Sequence, residues 1–375
     1  MNHILVSVVL SFIITFFAIP IIIQIAKEKK LFDEPDERKI HKAVIPTLGG
    51  LGIFSGFMLA FLLCVPSFNG TDVQYFVASF FIIFLLGIKD DILIISPTKK
   101  FIGQLIAAFI IIKFGGIQIN NMYGFMGIYH IPDFAATILS LFTIVVITNS
   151  FNLIDGVDGL AGSLGLFCTI IFGCYFYYSG HYTFSILSFA LAGSLISFLI
   201  YNYPPAKIFM GDTGSLLIGI VNSILVIKFI NVAQLPDAKL HLSSSPAIGF
   251  AILAVPLFDT LRVFAIRIFF GRSPFSPDRN HIHHLLLDLN LSHIATTLIC
   301  LTANIIVLFI AVAFQDLGNN ILMIIIFLLS SCFLGAIHLI GKNKKKKIIS
   351  NDFSENQILN NKQVFSLYSE NIEID

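Results

Sequence analysis

The sequence contains no tryptophan, and charged residues make up only 12% of its 375 residues. Soluble globular proteins carry about a quarter, so this scarcity of charge, together with 56% hydrophobic residues, excludes an ordinary water-soluble domain. The 23 Lys and Arg nearly balance the 22 Asp and Glu, and such a balance does not favour a nucleic-acid partner. We therefore predict a membrane protein.

Cysteine is also scarce, which limits redox and metal chemistry. The five cysteines lie in apolar runs without CxxC or Cys/His ligand spacing: Cys64, Cys168, Cys174, Cys300 and Cys332. This pattern supports neither a disulfide framework nor a zinc site. We expect buried, structural thiols.

Apolar stretches near the length of a transmembrane helix, about 20 residues, recur along the chain. They cover residues 4–26, 48–66, 74–89, 101–118, 134–149, 162–179, 184–201, 214–231, 246–268, 294–315 and 320–341. The first has no basic start and no cleavage site of small residues, so we interpret it as a retained helix and not as a signal peptide. We predict an all-α polytopic membrane protein with about eleven transmembrane helices. Residues 1–341 would form the membrane domain and residues 342–375 a basic and polar tail.

The distribution of basic residues predicts the orientation. Segments after odd-numbered helices, with the adjoining helix ends, hold all of the 23 Lys and Arg except Lys113, Lys228 and Lys239. By the positive-inside rule these segments and the C-terminal tail are cytoplasmic and the N-terminus is outside. The juxtamembrane lysines after residue 341 would attract anionic membrane lipids. Small residues such as Gly193 and Gly219 permit close helix packing, but they do not indicate a dimer, and a homodimer stays open.

Two adjacent carboxylates, Asp90 and Asp91, end the third predicted helix. Such a pair can hold Mg²⁺ or raise the pKa of one member until it can act as a base. Alternatively, the pair is a solvated helix end.

A second polar segment follows the fifth predicted helix. Asn149, Asn152 and Asp155 share one face if the segment is helical, and Asp158 follows among glycines. Their side chains offer only oxygen ligands, which suit a hard cation such as Mg²⁺ and a diphosphate-bearing substrate. A polar helix cap is the alternative.

Two further cytoplasmic loops carry candidate residues. Asp212 is either a helix N-cap or another metal-facing carboxylate. The later loop contains Arg279, His281, His283 and His284, and no nearby Cys or HExxH pattern completes a zinc site. We expect these side chains to donate hydrogen bonds to phosphate oxygens, with a solvated basic loop as the alternative.

Taken together, these motifs resemble the polyprenyl-phosphate N-acetylhexosamine-1-phosphate transferases, glycosyltransferase family 4. The resemblance covers residues 1–340 and rests on Asp90-Asp91, Asn149-x-x-Asn152-x-x-Asp155-Gly-x-Asp158-Gly-Leu-Ala, Phe209-Met-Gly-Asp212-Thr-Gly-Ser and Pro277-Asp-Arg-Asn-His281-Ile-His-His284. It implies transfer of a sugar-1-phosphate from a UDP-N-acetyl sugar to undecaprenyl phosphate, with release of UMP and a requirement for Mg²⁺, for which Mn²⁺ can substitute. The form of the histidine motif resembles the WecA-type and TagO-type branch, which uses GlcNAc.

The resemblance also implies roles for individual residues. Asp90, Asp91, Asp155 and Asp158 are expected to be catalytic, and Asn152 and Asp212 to contact the metal. The expected substrate-binding residues are Lys100, Asn149, Arg279, His281, His283 and His284. Many relatives read Asp-Asp-x-x-Asp, whereas the third position here is Ile94.

Other functions remain open from the sequence. The donor could instead be another UDP-amino sugar or UDP-MurNAc-pentapeptide, since such sugars differ by a few hydrogen bonds in the pocket. A membrane transporter is the alternative from another class, but it would place charges near the bilayer midplane. The family function predicts a bacterial inner-membrane protein with a cytoplasmic active site that starts lipid-linked cell-envelope glycan synthesis.

Overall fold

The computed structural model describes residues 2–29, 45–66, 73–93, 95–235, 238–273 and 280–370, with side chains as far as residue 344. Within these residues it contains helices α1 (Asn2–Glu28), α2 (Gly49–Cys64), α3 (Val73–Ile92), α4 (Pro97–Lys113), α5 (Asp133–Ile154), α6 (Leu160–Tyr178), α7 (Tyr182–Asn202), α8 (Gly211–Ala233), α9 (Ser245–Ile252), α10 (Ala254–Phe269), α11 (Ile282–Leu287), α12 (His293–Ala313) and α13 (Asn319–Glu370). Two short strands, β1 (Asn121–Phe125) and β2 (Ile128–His130), form an antiparallel hairpin between α4 and α5.

Each of the eleven predicted apolar stretches forms a helix or a pair of helices, which confirms the all-α polytopic membrane fold. Among the described residues, seven helices are long and apolar enough to cross a membrane, or eight if the pair α9 and α10 counts as one span. The count of eleven spans and the orientation stay predictions.

Hydropathy alone predicts one straight helix over residues 246–268, but the structure has two helices there. The chain breaks at Leu253, and α9 and α10 meet at 88°. Pro256 in the first turn of α10 lacks the N–H that a continuous helix would require. The Asn304 side chain satisfies the broken backbone instead, because its amide donates to Ile252 O at 2.9 Å and its carbonyl accepts from Val255 N at 2.9 Å.

Helix α8 lies at the centre of the bundle and packs against α2, α3, α5 and α6. Close approach depends on small residues: a Cβ on Gly219 would lie 2.5 Å from Thr148 Cα of α5, and one on Gly193 would lie 2.1 Å from Ser11 Oγ of α1. These two glycines therefore serve packing within the chain, while a homodimer stays a prediction. Three of the expected buried thiols are buried, but Cys174 and Cys332 are exposed on their helices, so that expectation is wrong for these two.

Candidate active site

Helices α3, α5, α8 and α12 end or begin around a cavity of about 520 Å³. Five carboxylates line it: Asp90, Asp91, Asp155, Asp158 and Asp212. The fold thus brings together acidic motifs that lie far apart in the sequence. The hairpin lies at the opposite end of the bundle, because it contacts Asn231 near the end of α8, whereas Asp212 lies at the start of that helix.

The two carboxylates of the Asp90-Asp91 pair have different surroundings. Asp91 accepts hydrogen bonds from Asp212 N at 2.6 Å, Thr213 N at 3.1 Å and Thr213 Oγ1 at 2.6 Å. It therefore caps the N-terminus of α8 from a neighbouring helix, where backbone N–H groups lack helical partners and favour negative charge. Asp90 accepts from Ile95 N at 2.8 Å and lies 3.2 Å from Lys100 Nζ.

The Lys100 ammonium lies among oxygen atoms of three side chains. It contacts Asp90, pairs with Asp212 Oδ2, and donates to Asn152 Oδ1 at 3.1 Å. Asn152 also donates to Asp212 Oδ1 at 2.7 Å and to Ser215 Oγ at 3.0 Å. This arrangement joins three predicted site residues from α4, α5 and α8 into one charged cluster.

Asp155 follows α5 and lies half-buried in the wall of the cavity. Burial, followed by the charges of Asp212, Asp91 and Asp158, raises its pKa well above the usual value. Since three carboxylates oppose its ionisation, positive charge brought into the cavity would favour the ionised form.

Asp158 is buried beside a residue that was not predicted from the sequence, His293. The His293 Nδ1 atom lies 3.1 Å from Asp158 Oδ2, and His293 also lines the cavity. Thr297, one turn further along α12, donates to Asp158 O at 3.4 Å. The start of α12 thus fixes the loop that carries Asp158.

The histidine segment is held by another residue that was not predicted, Asp259 of α10. Asp259 Oδ2 lies 2.8 Å from His281 Nδ1, and Asp259 Oδ1 accepts from Ile282 N at 3.0 Å and from Arg262 Nη2 at 2.9 Å. His281 is 4% exposed, and Arg267 Nη2 approaches its second ring nitrogen at 3.4 Å.

The segment places His283 against the loop of the acidic cavity. A Cβ on Gly156 would lie 2.4 Å from His283 Nε2, so only glycine permits this approach. The rings of His283 and His284 have centroids 4.2 Å apart. Burial, followed by the charge of His284, lowers the pKa of His283 to about 3, so this imidazole is neutral at physiological pH. Arg279 and Ile94 lie outside the described residues.

Asn149 is a predicted site residue that does not line the cavity. Its amide donates to Gln104 Oε1 at 2.7 Å and to Val145 O at 2.8 Å. Since Asn152 lies one turn further along α5, the pair Gln104 and Asn149 supports the turn that carries the Lys100 contact.

The donor set fits a magnesium ion. Within the described ranges, no group of three His, Cys, Asp or Glu side chains is arranged to hold a metal. Mg²⁺ commonly uses only one or two carboxylates and completes its shell with water and substrate phosphates. Asp212 and Asn152 meet that requirement, since their oxygens already converge on a cation, the Lys100 ammonium.

Sequence reasoning missed Asp259 and His293 for different reasons. Asp259 carried a usable signal, because an ionisable residue within a predicted span is costly unless it is paired. His293 lies between Ser292 and Ile294 without a motif, and only the approach of α12 to the Asp158 loop identifies it.

Comparisons with known proteins agree with the geometry. Residues 73–230 match Glycosyl transferase family 4. The probable undecaprenyl-phosphate N-acetylglucosaminyl 1-phosphate transferase of Bacillus subtilis (strain 168) is 35% identical over 331 residues, covering 88% of this chain and 90% of the relative. The undecaprenyl-phosphate alpha-N-acetylglucosaminyl 1-phosphate transferase of Escherichia coli O157:H7 is 27% identical over 83% of this chain and 84% of its own. The decaprenyl-phosphate N-acetylglucosaminephosphotransferase of Mycobacterium leprae (strain TN) is 31% identical over 75% and 76%. This similarity, which extends over most of both chains, confirms the resemblance carried by the motifs: the protein belongs to glycosyl transferase family 4 and is a membrane-embedded transferase.

Proposed function

We propose that the protein transfers GlcNAc-1-phosphate from UDP-GlcNAc to undecaprenyl phosphate and releases UMP, in a reaction that requires Mg²⁺. The observation that carries the proposal is the cluster that Lys100 forms with Asn152 and Asp212, two residues that line the acidic cavity. It offers both a cationic side chain and oxygen ligands for a metal. The names of the relatives, which specify N-acetylglucosamine and a polyprenyl phosphate, support this choice of donor and acceptor.

In the proposed reaction, an oxygen of undecaprenyl phosphate attacks the phosphorus that carries the sugar. The bond from that phosphorus to the bridging oxygen breaks, and UMP leaves with the bridging oxygen. Phosphoryl transfer requires mainly alignment and charge stabilisation from the protein. Mg²⁺ held by Asp212 and Asn152 would supply a Lewis acid for the diphosphate oxygens.

The remaining roles, charge stabilisation, proton acceptance and donor binding, belong to different side chains. The Lys100 ammonium stabilises negative charge on the diphosphate once substrate phosphates compete for it. Asp91 keeps both of its oxygens on the N-terminus of α8, so Asp90 is the member of the pair that is better placed to accept a proton from the acceptor phosphate. Asp155 and Asp158 form the wall on the nucleotide-sugar side.

The proposed location is the cytoplasmic face of the bacterial inner membrane. The positive-inside rule supports this location, because basic residues are concentrated in the loops predicted at the end of the bundle that holds the cavity. A soluble nucleotide sugar would reach the cavity from water, while the acceptor keeps its polyprenyl tail in lipid. The product would start a lipid-linked cell-envelope glycan.

The test is an assay of purified protein in detergent with Mg²⁺, undecaprenyl phosphate and UDP-GlcNAc, UDP-GalNAc or UDP-MurNAc-pentapeptide, following UMP and the lipid product. We expect turnover with UDP-GlcNAc, loss on chelation of Mg²⁺, and a decrease of about 100-fold or more in Asp212→Asn, since loss of one transition-state stabiliser has effects of that size. Asp133→Asn is the matched control, because Asp133 pairs with Lys113 at the opposite end of α5. Turnover with another donor alone would overturn the choice of sugar, and folded protein inactive with every donor would overturn the transferase proposal.

A further inference from the structure

Asp259 lies outside the acidic cavity and contacts none of the residues that the proposed reaction uses directly. It is 2% exposed, yet its two oxygens have three close partners: the His281 ring, the Ile282 backbone and the Arg262 guanidinium. A buried carboxylate is costly unless it is paired and hydrogen-bonded. The sequence therefore keeps a charge here for a purpose other than packing.

The geometry fixes the tautomer of His281. A guanidinium group only donates hydrogen bonds, so the nitrogen that faces Arg267 at 3.4 Å, Nε2, must accept. The hydrogen then lies on Nδ1, which donates to Asp259 Oδ2 at 2.8 Å. Both ring nitrogens are thus engaged inside the protein, and His281 in this state has no N–H left for a phosphate oxygen.

Asp259 also determines where α11 begins. Its Oδ1 atom accepts from the N–H of Ile282, the first residue of that helix. His283 follows one residue later, and its ring lies nearly parallel to that of His281, with 8° between the planes. The position of His283 against Gly156 therefore depends on the two contacts that Asp259 makes at the start of the helix.

We propose that Asp259 is a positioning residue: it holds His281 as the Nδ1–H tautomer and anchors the start of α11, so that His283 and His284 stand at the wall of the nucleotide-sugar site. The proposal rests on the proposed function for the identity of the substrate. It assigns to His281 and the buried His283 a role in holding the segment against the loop at Gly156, and leaves contact with the donor to the half-buried His284.

Asp259→Asn is the informative substitution because it preserves size. Either orientation of the amide turns its NH₂ toward a donor, the His281 Nδ1–H or the Ile282 N–H. If His281 instead moves its hydrogen to Nε2, that hydrogen faces the Arg267 guanidinium. We expect the KM for UDP-GlcNAc to rise about 10- to 100-fold, the effect of losing a hydrogen bond to a charged phosphate, with the KM for undecaprenyl phosphate unchanged.

A double-mutant cycle tests whether Asp259 acts through His281. We expect His281→Ala to raise the donor KM, and Asp259→Asn to add little to it, because residues that act through one contact are not additive. A purely structural defect would change the KM for undecaprenyl phosphate as well as the KM for UDP-GlcNAc. If the two residues acted independently, the fold-changes of the single variants in the donor KM would multiply in the double variant. An unchanged donor KM in Asp259→Asn, or multiplying effects in the double variant, would overturn the proposal.

A chemical readout keeps the test independent of turnover. His283 is 2% exposed, so we expect it to resist diethyl pyrocarbonate in the wild type and in Asp133→Asn, and to be modified in Asp259→Asn, as measured by mass spectrometry. If Asp259→Asn does not fold, the folded His281→Ala variant serves in its place, and its His283 must become modified by diethyl pyrocarbonate. A His283 that stays unmodified in His281→Ala would contradict the proposal. Inactivity of the wild type with UDP-GlcNAc would refute only the proposed function, because this modification pattern is measured without substrate.

Discussion

At the scale of single residues, Lys100 occupies the position that suits a metal. Its ammonium lies among oxygens of Asp90, Asn152 and Asp212. A lysine and a divalent cation that share ligands repel each other, so the side chain would have to move toward the substrate phosphates if the proposed metal bound. Lys100 thus compensates the acidic cluster before the substrate arrives.

We expect Lys100→Met to bind Mn²⁺ more tightly than the wild type without substrate, although it loses turnover. The gain should be about tenfold or more, since a unit charge about 4 Å away contributes about 1 kcal/mol even in bulk water and the ion is divalent. The free Mn²⁺ signal in electron paramagnetic resonance measures the binding. Lys99→Met removes the same charge from the exposed neighbour and should leave both properties unchanged. Weaker Mn²⁺ binding in Lys100→Met would mean that the lysine supports the metal site.

The sequence predicted which residues belong to the site better than it predicted the role of each one. The acidic pair, the polar face of α5 and Asp212 were found because charges are costly in so apolar a chain. The capping role of Asp91 was not found, because it depends on the approach of α3 to the first turn of α8. The engagement of both His281 nitrogens depends likewise on two residues of α10, Asp259 and Arg267, which lie 22 and 14 positions earlier in the sequence.

At the scale of secondary-structure elements, the crossing of α3 and α8 holds the site together. Gly87 of α3 lies one turn before Asp91, and a Cβ there would lie 2.4 Å from Thr213 Cα. The helices thus touch backbone to backbone at the point where Asp91 caps α8. Any side chain larger than hydrogen would separate the cap from the N–H groups that it accepts from.

We expect Gly87→Ala to destabilise the protein by about 1–3 kcal/mol, the usual effect of overpacking, and to decrease turnover. Gly335→Ala in α13 is the control, since a Cβ there meets nothing within 4 Å. Alanine favours a helix by up to about 1 kcal/mol at either position, so the control isolates the steric effect. Thermal unfolding in detergent measures both variants, and equal stability of the two would contradict backbone contact at this crossing.

Hydropathy predicted the helices but not what interrupts them. The break at Leu253 needs the Asn304 side chain of α12 to satisfy the backbone, a contact between distant residues. The hairpin was missed because residues 121–130 are too few to show a period, and its pairing is completed by Asn320 of α13, which accepts from Met126 N at 2.7 Å. Both features depend on partners that local sequence patterns do not contain.

At the scale of the whole molecule, the two ends of the bundle differ in chemistry. One end holds the acidic cavity and Lys100, and the other holds the hairpin with its exposed Met126 and Tyr129. Helix α5 connects them, and its 22 residues span about 33 Å, the thickness of a bilayer core. The two ends are therefore expected to face opposite sides of the membrane.

We expect labelling of single cysteines in cells to establish which side is which. In a background with the exposed Cys174 and Cys332 replaced by serine, Tyr129→Cys on the hairpin should react with a membrane-impermeant maleimide in intact cells. Lys207→Cys, exposed in the loop between α7 and α8, should react only after permeabilisation, because the positive-inside rule places that loop in the cytoplasm. The reverse pattern would place the cavity outside, where nucleotide sugars made in the cytoplasm do not reach it, and would contradict the proposed donor even if the fold were correct. Labelling of both positions in intact cells would show that the bundle does not separate its ends across the membrane.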